Sequence, residues 1–145
     1  MPRTRDGEIG TAPVTDRGKR VLAWDPAILP GGGEGTVLLN AHTWPDGSAL
    51  GNRLLAGLRV GDRLRLRGAR GAAACYRVRE RTRFRRDRIP AAPTFRSWGP
   101  EQVVIIVCSG RRRGPGDWTH RTVWYLDPAP AAGPETGART VARPH

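Results

Sequence analysis

The longest apolar run in the chain ends at a cysteine. Residues 103–107 read Val-Val-Ile-Ile-Val and are all β-branched. Such residues favour extended backbone, and a continuous run of this length is typical of a buried central strand. Cys108 follows at once, and the ends of strands are where scaffolds often present reactive groups. The pattern predicts a core strand with a thiol at its end, with a buried structural cysteine as the alternative.

A second strand is predicted over residues 36–43, TVLLNAHT. With a regular pleat, the odd positions face one side, and the even positions, which end with His42, face the other. The Trp-Pro-Asp-Gly sequence at 44–47 then predicts a turn. Ser48 is expected to cap a short helix that runs to about Leu58. The helical spacing of four leucines predicts its buried face: Leu50, Leu54, Leu55 and Leu58.

Arginine alternates with apolar residues in two further segments. Residues 63–67 and 75–84 have this pattern, which predicts two half-exposed strands paired antiparallel around residues 68–71. Another strand is predicted at 121–126 and a short edge strand at 20–25. Loops are predicted at the Gly-, Pro- and Arg-rich stretches 30–35, 85–100 and 109–119. Because strands outnumber the short helix, the predicted class is mainly β, a barrel or a sandwich.

A chain of 145 residues is long enough for one domain with its own core. Residues 1–19 are polar and without period and are predicted to be mobile, residues 20–127 to form the domain, and residues 128–145 to be an Ala/Pro-rich tail without packed structure. No stretch approaches the roughly 20 apolar residues of a membrane span, and no signal peptide follows Met1. The chain is therefore predicted to be soluble.

The formal net charge is +12, and Lys19 is the only lysine. Such a charge is compatible with a polyanionic partner. The use of arginine for nearly every cation, together with abundant Ala, Gly and Pro, also indicates the coding bias of a GC-rich genome. A solvated basic surface is therefore the alternative interpretation. The two cysteines do not provide a disulfide framework.

Cys108, His42 and Arg121 are the candidate residues for covalent chemistry. An imidazole can hold the proton of a thiol or return it to a leaving amine. A guanidinium favours the thiolate and can stabilise an oxyanion. If the strands on either side of residues 109–119 pair antiparallel, Cys108 and Arg121 meet, whereas His120 points away from Arg121. A backbone-bonded His42 and an ion-paired Arg121 are the structural alternatives.

No metal site is predicted. Four residues could form a zinc site by number alone: Cys75, Cys108, His42 and His120. Their spacing matches neither the Cys-x-x-Cys nor the His-x-x-x-His pattern of zinc ligands. Cys75 opens an amphipathic strand and is interpreted as a structural thiol.

Three segments resemble, in order and spacing, the His, Cys and Arg motifs of the sortases, cysteine transpeptidases of Gram-positive cell surfaces: residues 36–42 (TVLLNAH), 104–108 (VIIVC) and 120–124 (HRTVW). The stretches 42–52 and 108–112 are most similar to class F sortases of actinobacteria. The resemblance covers about residues 20–127. Its most specific feature is the thirteen-residue separation of Cys108 and Arg121.

The resemblance implies a sortase-type β-barrel of eight strands with one or two short helices and no cofactor or metal. Cys108 would attack the Thr–Gly bond of a Leu-Pro-x-Thr-Gly sorting signal and form a thioacyl-enzyme. His42 would be the general acid/base, and Arg121 would hold the substrate and stabilise the oxyanion. The implied partners are the sorting-signal peptide of secreted proteins and an amine acceptor of the cell wall, or water. No nucleic acid is expected.

The chain departs from the family pattern at two positions beside these motifs. Val107 stands where threonine is common, which is expected to remove a hydroxyl from the side of the substrate groove, and Ala41 stands where glycine is frequent. Neither the N-terminal membrane anchor nor the first strand usual in the family is evident before Arg20. A cell-surface location is implied, with membrane contact only through such an anchor. The alternatives are a non-catalytic basic β-barrel that binds nucleic acid or anionic wall polymer, and a shortened, inactive sortase.

Overall fold

Strands make up most of the secondary structure of the computed structural model, which describes residues 18–20, 22–24, 30–67, 73–130 and 138–141. The elements are, in chain order, a 3₁₀ turn (Gly18–Arg20), β1 (Ala23–Trp24), β2 (Thr36–Ala41), α1 (Leu50–Gly57), β3 (Arg63–Arg67), β4 (Ala73–Arg85), α2 (Ala91–Phe95), β5 (Gln102–Gly114), β6 (Asp117–Pro128) and β7 (Ala138–Val141). The prediction of a mainly β fold with short helices is confirmed. The described residues contain seven strands, whereas the resemblance implies eight.

The seven strands form one mixed sheet in the order β1-β2-β5-β6-β4-β3-β7. Neighbours are antiparallel except for two parallel pairs, β2 with β5 and β3 with β7. A parallel pair requires a long crossover, and here the chain between β2 and β5 contains α1, β3, β4 and α2. The β-branched run lies in β5, inside the sheet, as its composition predicts.

One face of the sheet surrounds the main core. Val37 and Leu39 of β2 lie in the same buried cluster as Leu64 and Leu66 of β3, although four strand-to-strand steps separate these strands in the sheet. The sheet must therefore curl around this cluster. The leucine face of α1 closes it, with Leu58 fully buried. We call this side of the sheet the core face.

The opposite face carries a smaller buried cluster, formed by Leu38, Val104, Val123 and Tyr125. The connection between β4 and β5 covers it, and Thr94 of α2 is hydrogen-bonded to the Tyr125 hydroxyl at 2.8 Å. The two clusters take alternate residues of β2, which confirms the predicted pleat. We call this side the outer face.

The Arg/Gly-rich segment after the cysteine is a β-hairpin, and the prediction of a loop at 109–119 is wrong. β5 continues to Gly114 and turns into β6. The register between the strands shifts twice, between Ser109 and Arg112 and between Arg112 and Gly114. Gly110 has φ +81°, a conformation that L side chains rarely adopt. Irregular strand pairing of this kind does not produce a regular alternation of apolar and polar residues, so the sequence pattern does not reveal it.

The first helix begins one residue later than predicted. Ala49 is its N-cap residue, and Ser48 instead donates both its N–H and its hydroxyl to Asp46 Oδ1, at 3.0 and 2.6 Å. Asn52 Oδ1 accepts the Ala49 N–H at 3.1 Å and so takes over part of the capping. The expected buried face is present, because Leu54 and Leu58 are buried and Leu50 and Leu55 pack against them.

Both predicted terminal segments have some ordered structure. Lys19, expected to be mobile, is buried, and its ammonium donates to Ser48 Oγ at 3.0 Å. Within the predicted tail, Ala138–Val141 form β7 and pair with β3, so the absence of packed structure was wrongly predicted for these four residues. Residues 1–17, 131–137 and 142–145 lie outside the described residues. The domain boundaries at 20 and 127 stay a prediction.

The glycine-rich segment 30–35, predicted to be a flexible loop, is held by a buried carboxylate. Glu101 is 6% exposed, and its oxygens accept the Gly31 N–H at 3.2 Å, the Gly33 N–H at 2.7 Å and the Tyr76 hydroxyl at 2.5 Å. Burial, followed by the Glu101 hydrogen bond, raises the pKa of Tyr76, so its phenol stays a donor. One side chain thereby joins this segment to β4.

Glu101→Ala is expected to destabilise the protein by about 3 kcal/mol, because it leaves a buried hydroxyl and two N–H groups without their acceptor. Tyr76→Phe removes only one of these bonds and is expected to cost about 1 kcal/mol. Urea unfolding measures both changes. The control is Glu80→Ala, an exposed carboxylate on β4, with an expected effect within about 0.5 kcal/mol. Equal effects of Glu101→Ala and Glu80→Ala would contradict the prediction.

Candidate functional site

Cys108 and Arg121 lie directly opposite each other on β5 and β6. Paired residues on antiparallel strands have side chains on the same face. The predicted antiparallel pairing of these two strands is therefore confirmed. Cys108 is not at the end of β5, as the sequence suggested, since that strand continues into the hairpin. It lies where the neighbouring strand β2 ends.

His42 follows the last registered pair of β2 and β5, Ala41 with Val107. One further step in the same parallel register corresponds to His42 beside Cys108. A contact across the strands supports this placement, because the Thr43 hydroxyl donates to the Cys108 carbonyl oxygen at 2.6 Å. Both His42 and Cys108 are partly exposed. Cys108 and Arg121 thus lie on the adjacent strands β5 and β6, and His42 lies directly after the end of β2, the other neighbour of β5.

The segment after β2 is fixed by the start of α1. The Gly51 N–H donates to the His42 carbonyl oxygen at 2.8 Å. A Cβ atom on Gly51 would lie 2.9 Å from the His42 carbonyl carbon and 2.8 Å from Thr43 Oγ1, so only glycine allows this approach. Asn52 Oδ1 accepts the Trp44 N–H at 2.9 Å. These contacts hold the backbone of His42 and of the two residues after it against the start of α1.

Burial raises the pKa of the Cys108 thiol, and the positive charge of Arg121 acts in the opposite direction. Burial is the larger effect, so the cysteine is a protonated thiol near neutral pH. A thiol in this state needs a base before it can act as a nucleophile.

Alkylation of Cys108 is expected to have a pH midpoint above that of an unperturbed thiol, because burial favours the neutral form. Arg121→Ala removes the charge that lowers the pKa and is expected to move the midpoint still higher. The measurement is the rate of iodoacetamide alkylation against pH in a Cys75→Ala background, which leaves Cys108 as the only cysteine. A midpoint at or below that of a free thiol, or one that falls in Arg121→Ala, would contradict the expectation.

The guanidinium of Arg121 is held by the hairpin. Its Nη1 donates to the Trp118 carbonyl oxygen at 3.0 Å and to the His120 carbonyl oxygen at 2.9 Å. These two bonds fix the side chain close to its own backbone and reduce the entropy lost when it binds a further acceptor. Arg121 is thus an oriented donor next to the thiol.

His120 lies on the core face, away from Cys108 and Arg121, as strand alternation predicts. It is paired with Ser109 and with Arg85. Partial burial, and then the charges of Arg83 and Arg85, lower the pKa of His120. The imidazole is therefore neutral at pH 7 and belongs to a different part of the surface.

Apolar side chains adjoin the thiol on the outer face. Phe84 of β4 is paired with Arg121, and Ile106 precedes Cys108 by two residues on the same side of β5. Both are partly exposed and pack, with Ile89, against the smaller cluster. An extended peptide on this face would meet an apolar floor before it reached Cys108.

Val107 lies on the core face and is 1% exposed, within the main cluster. Its side chain was predicted to lie beside the substrate groove, and the structure places it on the other side of the sheet. Replacement of a threonine hydroxyl by a methyl at this position therefore changes the core and not the surface beside Cys108.

The structure does not gather the four residues considered as zinc ligands. Cys75 lies on β4, two strands from Cys108 on β5, and both cysteines are free thiols. Within the described ranges, no three His, Cys, Asp or Glu residues form a group suited to a metal ion. Neither helix in that part of the chain has the length and apolar character needed to cross a membrane.

Sequence reasoning missed Thr43, Gly51 and Phe84, although all three shape the site. Thr43 contacts the backbone of Cys108, Gly51 allows α1 to approach His42, and Phe84 adjoins Arg121. A glycine in the first turn of a predicted helix is the only signal among them, since glycine costs helix stability unless a close approach requires it.

Sequence comparison with family models and with curated proteins finds no match. Comparison with solved structures finds several matches. Sortase C1 of Streptococcus suis matches with a TM-score of 0.63 at 17% identity, over 93% of this chain and 67% of that one. Sortase C1 of Streptococcus agalactiae in complex with MTSET matches at 0.58 and 20%, over 79% and 57%. The lid mutant of sortase A from Corynebacterium diphtheriae matches at 0.61 and 15%, over 79% and 58%.

The curled mixed sheet with its short helices is therefore the sortase fold, and the predicted fold class is confirmed. The similar structures are sortases of class C and class A. The assignment to class F stays a prediction. The chain spans about half to two thirds of the length of these proteins. At identities below 25%, the likeness concerns the fold, and activity has to be argued from the site.

Proposed function

We propose that this protein is a sortase-type cysteine transpeptidase in which Cys108 is the nucleophile, His42 the general acid/base and Arg121 the oxyanion donor. The observation that carries the proposal is that Cys108 and Arg121 are in register on β5 and β6, while His42 directly follows the end of the neighbouring strand β2. The sortase fold of the chain agrees with it.

The chemistry requires a base because the Cys108 thiol is protonated near neutral pH. His42 takes the thiol proton, and the sulfur attacks the carbonyl carbon of the peptide bond. The carbonyl oxygen becomes an oxyanion, and the Arg121 guanidinium donates hydrogen bonds to it. When the C–N bond breaks, the proton moves from His42 to the leaving amine, and a thioester on Cys108 remains.

A second nucleophile completes the reaction. An amine, or water, attacks the thioester carbonyl while His42 removes its proton, and the sulfur leaves and is reprotonated. The atoms balance without a metal ion or a redox cofactor. The product is a new amide if the acceptor is an amine, and a free carboxylate if it is water.

The substrate proposed is a Leu-Pro-x-Thr-Gly sorting signal cleaved between Thr and Gly, at the cell surface, and the class proposed is F. Support comes from the motif resemblance at residues 36–42, 104–108 and 120–124 and from the apolar outer face around Phe84 and Ile106. Leucine and proline of such a signal would lie on this floor, with the Thr carbonyl over Cys108.

Intact-mass measurement tests the proposal. After incubation with a Leu-Pro-x-Thr-Gly peptide, a protein species heavier by the acyl fragment that ends in Thr is expected. Peptide mapping should place it on Cys108 and not on Cys75. A second peptide with the same composition in scrambled order is the control. Equal adduct formation with both peptides, or no adduct with either, would contradict the proposal.

A further inference from the structure

A basic cavity of about 490 Å³ lies at the base of the β5–β6 hairpin. Its lining contains five arginines: Arg83, Arg85, Arg86, Arg111 and Arg113. It lies on the core-face side of β4 and β6, because Arg85 is paired with His120 and Arg83 with Thr122. Cys108, Arg121 and Phe84 share the other face. The cavity and the proposed catalytic site are therefore on opposite sides of the sheet.

The charges in this cavity are not balanced. Only two carboxylates line it, Asp87 and Asp117, so five guanidiniums leave a formal charge of +3. Asp117 is already paired with Arg86 at 2.5 Å. Like charges placed together repel each other unless a counter-ion lies between them. The excess of positive charge in this cavity therefore favours an anion over a cation or a neutral ligand.

The cavity is also shaped by specific hydrogen bonds. The Arg111 N–H donates to Thr119 Oγ1 at 2.9 Å, and the Arg86 N–H donates to the Thr119 carbonyl oxygen at 3.1 Å. A Cβ atom on Gly110 would lie 2.5 Å from Thr119 Oγ1 and 2.6 Å from His120 Nδ1. The positive φ of Gly110 and its missing side chain thus let the hairpin close over this side of β4.

His120 adds a neutral donor to the five cations. Its Nδ1 lies 2.7 Å from Thr119 Oγ1 and 3.4 Å from Arg83 Nη2. Because the Thr119 oxygen accepts from Arg111, its own hydrogen is available for Nδ1, and the imidazole then carries its proton on Nε2. The two arginines of β4, Arg83 and Arg85, flank this ring.

We propose that this cavity binds an anion with two or more linked phosphate groups, a condensed phosphate such as pyrophosphate. Guanidinium groups match phosphate oxygens in pairs, and five of them exceed what one orthophosphate can engage. The volume lies in the range of about 300–1,000 Å³ found for small-molecule sites. No Phe, Tyr or Trp is among the residues that line it, so none of these large rings provides a stacking surface for bases.

Isothermal titration of the full chain with pyrophosphate and tripolyphosphate tests the proposal, with orthophosphate and sulfate at matched ionic strength as comparison anions. Saturable binding of the condensed phosphates is expected, at least about tenfold tighter than that of either comparison anion. The double variant Arg83→Gln/Arg85→Gln is expected to weaken binding by at least about tenfold. The matched control is Arg59→Gln/Arg77→Gln, two exposed arginines outside the cavity, with less than about twofold change.

The imidazole of His120 serves as a local reporter. Condensed phosphate is expected to shift its NMR signals and to leave those of His42 unchanged, with His120→Gln used for assignment. Equal weakening in the two double variants would show bulk charge only and overturn the proposal, as would equal affinity for sulfate. Tighter binding of a single-stranded oligonucleotide through Arg83 and Arg85 would replace it with a nucleic-acid site. Cys108→Ala should bind the anion normally, so the result is independent of the proposed catalysis.

Discussion

Cys108→Ala is expected to abolish cleavage of a Leu-Pro-x-Thr-Gly peptide and to remove the acyl adduct from the mass spectrum. The residue is the proposed nucleophile, and alanine offers no atom that can form a thioester. The fall in turnover is expected to reach at least about 10³-fold. Release of the Gly-containing fragment, followed by chromatography, measures turnover, and intact mass measures the adduct.

Cys75→Ala is the matched control, because both thiols are partly exposed and only one faces Arg121. It is expected to retain full turnover and the adduct. Similar urea unfolding of the two variants would show that the difference is chemical and not one of stability. If Cys108→Ala retained turnover, or if Cys75→Ala lost it while still folded, the assignment of the nucleophile would be wrong.

Arg121→Ala is expected to lower kcat/KM by about 10²–10³-fold, the effect of removing one oxyanion donor. Its guanidinium is anchored by the carbonyl oxygens of Trp118 and His120 and lies opposite the thiol. Because its charge also lowers the pKa of Cys108, the pH profile of the variant should shift to higher pH. Single-turnover kinetics from pH 6 to 10 separate the two effects, since raising the pH restores the thiolate but not the donor.

Two further variants decide whether the role of Arg121 is specific. Arg121→Lys keeps the charge and loses the two-pronged donor, so partial activity is expected, with a pH profile near that of the unmodified protein. Arg77→Ala, at an exposed position of β4, removes an equal charge at a distance and should change neither quantity. Equal losses in Arg121→Ala and Arg77→Ala would point to net charge, and full activity in Arg121→Ala would exclude the proposed role.

Hydrophobic pattern was sufficient to predict the strands that carry the site. The β-branched run became the inner strand β5, and the alternation in residues 36–43 gave the correct two faces of β2. These predictions succeeded because each depends on local periodicity, which burial enforces directly.

The parts that pattern did not predict depend on irregular backbone. The register shift between Val78 and Glu80 moves Arg81 to the core face, where its guanidinium lies 5.1 Å from the ring centre of Trp124. A strict alternation through residues 75–84 places Arg81 with the solvent-exposed arginines. The hairpin after Cys108 was likewise missed, since its arginines have no apolar partners whose burial a sequence would reveal.

The roles of the glycines and of the buried polar residues could also be recognised only in the structure. Glutamate is a residue type that is usually found on the surface. The carboxylate of Glu101 nevertheless accepts three hydrogen bonds, two from the glycine-rich segment and one from Tyr76. Such a role depends on partners up to 70 positions away along the chain. No window of local sequence contains that information.

Because β2 pairs in parallel with β5, bringing His42 to Cys108 closes a longer chain segment than bringing Arg121 to Cys108. The loss of chain entropy is therefore larger for the histidine. Cys108 and Arg121 are joined by thirteen residues within one hairpin, whereas His42 and Cys108 are separated by sixty-six. Closing the longer segment costs about 1.4 kcal/mol more by the logarithmic dependence on length. The histidine is therefore the member of the set whose position depends on the whole domain being folded. Local opening of β2 would leave a paired cysteine and arginine without the proposed base, a state unable to begin the proposed reaction.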